Sequence, residues 1–173
     1  MYPHHFQTQQ QCNNAILECA SLLGVEREDL NLRASSRGLY AGVVRVLEPG
    51  IGEIDGISLS DPMPISSNWI TNPEVHCDPT GAQFILVIEK EGIFDRLHQD
   101  RFWRRLPCVL VTGRGFPDLA TRALVHQLST RFSLPVYGLA DCNPFGLALL
   151  LTYKLGSAVR LPSLLLAVRP VPF

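Results

Sequence analysis

Phe84-Ile85-Leu86-Val87-Ile88-Glu89 and Pro135-Val136-Tyr137-Gly138-Leu139-Ala140-Asp141 decide the reading of this chain. Each is a short apolar run that closes on an acid. Runs this short, bounded by turn residues, read as buried strands. A third run, Cys108-Val109-Leu110-Val111-Thr112, lies between them, with Pro107 before it and Gly113 after. The gaps carry helical spacing. Ile93, Phe94, Leu97 and Phe102 predict one amphipathic helix. Leu119, Ala120, Ala123, Leu124 and Leu128 predict a second, with Pro117 suited to its first turn. Pro144 opens a third, which runs to about Tyr153. Strand and helix thus alternate three times. That pattern predicts an α/β fold with a mostly parallel sheet and helices on both faces.

The acids matter because of where this fold puts them. In an open α/β sheet, ligands bind just beyond the carboxyl ends of the strands. Glu89 and Asp141 both fall there. Two carboxylates offer the hard oxygen donors that Mg²⁺ takes. The local alternative is that each acid caps the helix that follows it. The pair together favours the metal.

Outward from this core the sequence is plainer. From about Asn13 to Leu23, apolar residues recur at helical spacing, and Gly24 is a natural stop. Leu39 to Leu47 reads as one strand, and Ile54 to Leu59 as a looser second. Ser60 to Gly81 holds Pro62, Pro64, Pro73 and Pro79, and reads as a surface connection with little regular structure.

The length of 173 residues fits one full domain, and 46% apolar content supplies a core. A net charge of -1 gives no global attraction to nucleic acid, although a local basic patch is compatible with it. Arg96, Arg101, Arg104 and Arg105 form such a face, which reads first as solvated. Five cysteines show no C-x-x-C spacing, which predicts reduced, mostly buried thiols in an intracellular compartment and no zinc site. Cys142 reads as a packing residue. His98 and His126 read as surface or packing residues on helices. The start has no apolar signal region, and residues 161–173 are too short and too proline-rich to span a bilayer.

Gly113-Arg114-Gly115 follows a strand and precedes a helix, as phosphate-cradling turns do. It lacks the third glycine of a dinucleotide fingerprint and the Gly-Lys-Ser/Thr of a P-loop. Asp118 and Arg122, one helical turn apart, read either as an ion pair or as an arginine facing a phosphate. No Gly-x-Ser-x-Gly elbow and no cysteine–histidine nucleophile is indicated.

Four segments occur in order: Phe84 to Phe94, Val111 to Arg122, Leu139 to Gly146 and Tyr153 to Ser157. Together they closely resemble the Toprim domain of the topoisomerase VI A-subunit family, nearest to its eukaryotic branch of meiotic double-strand-break transesterases. The likeness runs from about Gln11 to Ser157. It implies a Toprim-like core at 81–160, preceded by a segment at 1–80 and followed by a divergent tail at 161–173.

The resemblance also implies a mechanism. A tyrosine on a winged-helix domain attacks a DNA phosphodiester and becomes joined to the 5′ end, while the Toprim acids hold Mg²⁺ near the scissile phosphate. By position, Glu89, Asp141 and Asn143 become metal ligands, with Asn143 standing where many members carry a second Asp. Lys90, Arg114, Arg122 and Lys154 become candidates for DNA-phosphate contact. The chain starts close to where the family's tyrosine would already have passed. Tyr2 lacks the Arg-Asp context of that nucleophile, so no catalytic tyrosine is expected here. The implied partners are DNA, a second copy or related A-type subunit, and a topoisomerase VI B-like subunit. No membrane is implied, and the implied location is the nucleus. A non-catalytic DNA- or partner-binding module of the same fold is the alternative. A receiver-like phosphotransfer domain is disfavoured by the Gly-Arg-Gly turn and by Asn-Pro after Asp141.

Overall fold

The computed structural model describes residues 5–25, 29–30, 32, 37–67, 69, 72 and 74–155. The expectations for Tyr2 and for the stretch 161–173 lie outside them. Contacts divide the chain into two compact units, residues 1–35 and 36–173.

In the first unit, helix α1 spans Gln9–Leu23. It begins four residues before the apolar pattern because Thr8 caps it. Gln11 N–H donates to Thr8 Oγ1 at 3.2 Å, and Thr8 N–H donates back to Gln11 Oε1 at 3.4 Å. This reciprocal capping box is a polar signal, invisible to hydrophobic spacing. Gly24, at φ 65°, closes the helix in the left-handed conformation.

The second unit contains strands β1 (Leu39–Gly42), β2 (Arg45–Glu48), β3 (Gly52–Asp55), β4 (Met63–Pro64), β5 (His76–Asp78), β6 (Phe84–Ile88), β7 (Cys108–Thr112) and β8 (Val136–Leu139). Helices α2 (Glu91–Gln99), α3 (Leu119–Phe132) and α4 (Pro144–Leu155) follow β6, β7 and β8 respectively. The central sheet has the order β4-β1-β7-β6-β8. β6 pairs in parallel with β7 and with β8. β1 runs antiparallel to β7, and β4 antiparallel to β1. All but β1 therefore point the same way, so the sheet is mixed but mostly parallel.

Strand parity sorts the core into two layers. Ile85, Val87, Val109 and Val111 join Tyr40 against Leu124, Val125 and Leu128 of α3 and Leu149 and Tyr153 of α4. Ile88, Cys108 and Leu110 join Leu39 and Ala41 against Phe94 of α2 and Trp103. Helices thus cover both faces. β6 and β7 are apolar on both sides for that reason, whereas β8 buries only Val136.

Several local expectations are corrected. The stretch Leu39 to Leu47 is two strands in different sheets, not one. At Gly42, with φ 97°, the chain turns against β7, where a Cβ would lie 2.5 Å from the Cys108 carbonyl oxygen. Beyond it, β2 forms the middle of a separate antiparallel sheet, β3-β2-β5. The strand expected at Ile54 to Leu59 is β3 and stops at Asp55. There the Asp55 carboxylate accepts Ile57 N–H at 3.1 Å and its carbonyl accepts Ser58 N–H at 3.1 Å, which makes a turn. The supposed connection from Ser60 to Gly81 contains β4 and β5. The central sheet accordingly draws two strands from before residue 81. The first amphipathic helix ends at Gln99. Arg101 takes a left-handed backbone, φ 47°, and Phe102 belongs to a short 3₁₀ turn at Phe102–Arg104. Among the cysteines only Cys77 and Cys108 are buried, Cys12 is half-buried, and Cys19 and Cys142 are exposed. Cys142 is therefore not a packing residue; it sits on the surface loop between β8 and α4.

Candidate functional site

The parallel pairing of β6 with β8 brings their carboxyl ends level, Ile88 opposite Leu139. Glu89 N–H extends the ladder by donating to the Leu139 carbonyl at 3.0 Å. The two acids then meet. Asp141 N–H donates to Glu89 Oε2 at 2.9 Å. Asp141 Oδ2 lies 2.8 Å from Lys90 Nζ.

β7 contributes the turn that follows it. Arg114 N–H donates to Thr112 Oγ1 at 3.2 Å, and Gly115 N–H donates to the Glu89 carbonyl at 3.3 Å. Arg114 and Gly115 both have positive φ, 54° and 99°. A Cβ on Gly113 would lie 2.8 Å from Pro117 Cα. The glycines here allow a tight turn against β6, and the Gly115 N–H is spent on Glu89 rather than aimed at a phosphate. The turn swings the Arg114 guanidinium to Glu91, with Nη2 2.7 Å from Oε1. Phe116 from the turn packs edge-on against Phe145 from α4, ring centres 5.8 Å apart. The ends of β6, β7 and β8 thus gather Glu89, Lys90, Glu91, Arg114 and Asp141. The Lys90 ammonium is pushed above its ordinary pKa, first by its hydrogen bond to Asp141, then by that carboxylate's charge, with Glu89 adding.

The other sequence candidates have different surroundings. Asn143 Oδ1 accepts Gly146 N–H at 2.8 Å, and Asn143 N–H donates to the Asp141 carbonyl at 2.8 Å. It caps α4 and shapes the Asp141 loop. Arg122 is half-buried on α3. Burial pulls its pKa down, and the neighbouring Asp118 carboxylate opposes that. Its Nε has no hydrogen-bond partner among the described residues. Lys154 is exposed in the last turn of α4. Ten residues of helical rise carry it about 15 Å along the axis from Pro144.

Asp118 has a structural position that the motif did not reveal. Its carboxylate accepts Thr121 N–H at 2.8 Å, Thr121 Oγ1 at 2.7 Å and Arg37 N–H at 3.0 Å. It caps α3 and ties it to the approach of β1. Glu91 is the cluster member that sequence reasoning missed. Its signal was the alternation Glu89-Lys90-Glu91 immediately beyond a strand.

Among the described residues, no group of three or more His, Cys, Asp and Glu side chains is placed to hold a metal ion. Among the described residues, Glu89 and Asp141 are the two joined carboxylates that could hold an ion. That number suits Mg²⁺, which is ordinarily held by one or two carboxylates and completes its shell with water and phosphate oxygens. Glu89 keeps Oε1 for a ligand, and Asp141 is half-exposed behind Lys90.

Residues 84–168 match the Toprim domain of the topoisomerase 6 A-subunit/Spo11 family. The chain belongs to that family. It is 38% identical over 163 residues to the meiotic recombination protein SPO11-2 of Arabidopsis thaliana, covering 90% of this chain and 41% of the plant protein. It is 36% identical over 162 residues to SPO11-1 of Oryza sativa subsp. indica, covering 91% and 40%. To human SPO11 it is 35% identical over 153 residues, covering 88% and 38%. The chain thus spans about two fifths of the length of these relatives. The Toprim strand ends of this Spo11-family chain are the ends of β6, β7 and β8. None of its described helices is long and apolar enough to cross a membrane.

Proposed function

We propose that this chain is the metal- and phosphate-holding part of a DNA transesterase that makes meiotic double-strand breaks. The observation that carries this reading is the junction of Glu89 and Asp141 at the level ends of two parallel strands. Toprim domains generally bind divalent metal ions; the ion proposed here is Mg²⁺, held by these two carboxylates. When bound, it would offset charge on the scissile phosphate and orient the backbone. Lys90 and Arg114 flank that position and contact DNA phosphates as cations. Asn143 acts through the loop, holding Asp141 in place. Arg122 and Lys154 stand outside this cluster and have no assigned contact to the scissile phosphate.

Neither Tyr40 nor Tyr153 suits the part of the nucleophile. Tyr40 and Tyr153 are buried, and burial raises both phenols far above their ordinary range. Tyr137 packs edge-on against Phe84, with centres 5.5 Å apart. A winged-helix tyrosine, a second A-type subunit and a B-like subunit complete the proposed machine, which works on chromosomal DNA in the nucleus. The alternative, a non-catalytic DNA- or partner-binding module, draws support from the Lys90–Asp141 pair, which satisfies the site without a metal.

Calorimetric titration with Mg²⁺ separates the two. Glu89→Gln and Asp141→Asn are each expected to weaken binding at least tenfold, while Asp118→Asn leaves it unchanged. Equal affinity in all three variants would remove the proposed site.

A further inference from the structure

Every carboxylate of the strand-end cluster is already matched from within. Asp141 holds Lys90 at 2.8 Å, Glu91 holds Arg114 at 2.7 Å, and Glu89 accepts Asp141 N–H at 2.9 Å. The site carries its own cations. Lys90 and Asp141 side chains are 57% and 44% exposed, so charge rather than packing joins them. An exposed pair of this kind contributes little and is readily exchanged. Among the described residues, the Lys90 side chain has no other ion-pair or hydrogen-bond partner, although its carbonyl accepts Ile93 N–H and Phe94 N–H at the start of α2. It occupies the N-cap position of α2 with ordinary extended backbone, φ -92°, and its side chain makes no capping hydrogen bond.

A divalent cation on Asp141 would place two positive centres on one carboxylate, and they repel at such distances. We propose that Lys90 is a resident placeholder for the divalent cation, leaving Asp141 when the ion arrives and turning to a phosphate oxygen. This rests on the metal reading above and goes beyond it by giving Lys90 two alternating partners. Arg114 is the internal contrast. It pairs with Glu91, which is not one of the two proposed ligands, so ion entry does not have to displace it. The exchange also couples two ligands. A phosphate that draws Lys90 away frees Asp141, and by linkage an ion on Asp141 frees Lys90 for phosphate by the same factor.

The test is Mg²⁺ calorimetry at low ionic strength on the wild-type chain, Lys90→Met, Lys90→Arg and Arg45→Met, each first shown to unfold cooperatively. Lys90→Met is expected to bind Mg²⁺ about three- to tenfold more tightly than wild type. Lys90→Arg, which keeps the charge, should resemble wild type, and Arg45→Met, which removes an exposed cation paired with Glu53 outside the cluster, should change affinity less than twofold. Binding by Lys90→Met alone would also support a placeholder, one strong enough to block the ion. Wild-type binding with equal or weaker binding by Lys90→Met would overturn the placeholder and leave the metal site standing. No binding by either chain would overturn both.

Discussion

Asp118→Ala is expected to lower the unfolding free energy of this chain by about 3 kcal/mol, summed from a lost helix cap and two further hydrogen bonds. The residue is half-buried, and its carboxylate receives Thr121 N–H, Thr121 Oγ1 and Arg37 N–H. Removing it orphans donors at the start of α3 and at the approach to β1. Burial by itself would raise the carboxyl's pKa. The hydrogen bonds from Arg37, Thr121 and Gly38 outweigh that, and the group sits below its ordinary value. A carboxylate with a depressed folded pKa stabilises above its unfolded pKa and loses that contribution as pH falls through the folded one. The stability gap between wild type and Asp118→Asn should therefore be flat above about pH 5 and shrink below about pH 4. Urea midpoints across that range measure it. A gap independent of pH would mean that the carboxylate is not held in its charged form. Mg²⁺ affinity in the folded variant should not move, because Asp118 is not one of the two proposed ligands.

Gly146→Ala is expected to damage stability and site together. A Cβ there would sit 2.2 Å from the Asp141 carbonyl oxygen and 3.1 Å from the Asp141 nitrogen. Both are backbone atoms, and both are in use: the carbonyl accepts Asn143 N–H and the N–H donates to Glu89. Relief requires the Asp141 loop to move by about an ångström, which takes the carboxylate with it. Overpacking of this kind costs about 1–3 kcal/mol. Alanine would otherwise favour the helix by about 1 kcal/mol, so a net loss understates the strain. The folded variant should bind Mg²⁺ at least tenfold more weakly. A higher melting temperature with unchanged Mg²⁺ binding would show that the close approach does not constrain the loop.

The legible parts of this chain were those written in apolar spacing. β6 and β7 announced themselves because both faces of each strand are covered, which leaves unbroken apolar runs; β8 showed between Pro135 and Asp141 although only its Val136 is buried. The acids that end β6 and β8 followed from strand direction, and the structure brings Glu89 and Asp141 together. What was hidden was written in polar contacts and backbone conformation. Thr8 and Gln11 start α1 before any apolar residue does. Gly42 divides one apolar stretch between two sheets because its neighbour is the Cys108 carbonyl, distant in sequence. The cap that Asn143 makes to Gly146 N–H left no mark in the apolar spacing. Asp118 looked like half of an ion pair with Arg122, whereas its partners include a backbone N–H from Arg37. Contacts of that span leave no periodic trace.

β1 lies inside the sheet, between β4 and β7, and it reaches there from far upstream. A shortened piece beginning at Gly81 would keep the acids, Lys90 and the Gly113 turn, yet it would strip the flank of β7. Val109, Leu110 and Val111 are wholly buried in the intact chain. Their main-chain groups would then face water in a row, a template on which copies stack edge to edge. Such a piece should precipitate or form fibrils during refolding, whereas one that begins at Ser36 retains β1 to occupy that flank. The segment that looks like a mere lead-in to the Toprim core is what keeps its strands from pairing with strangers.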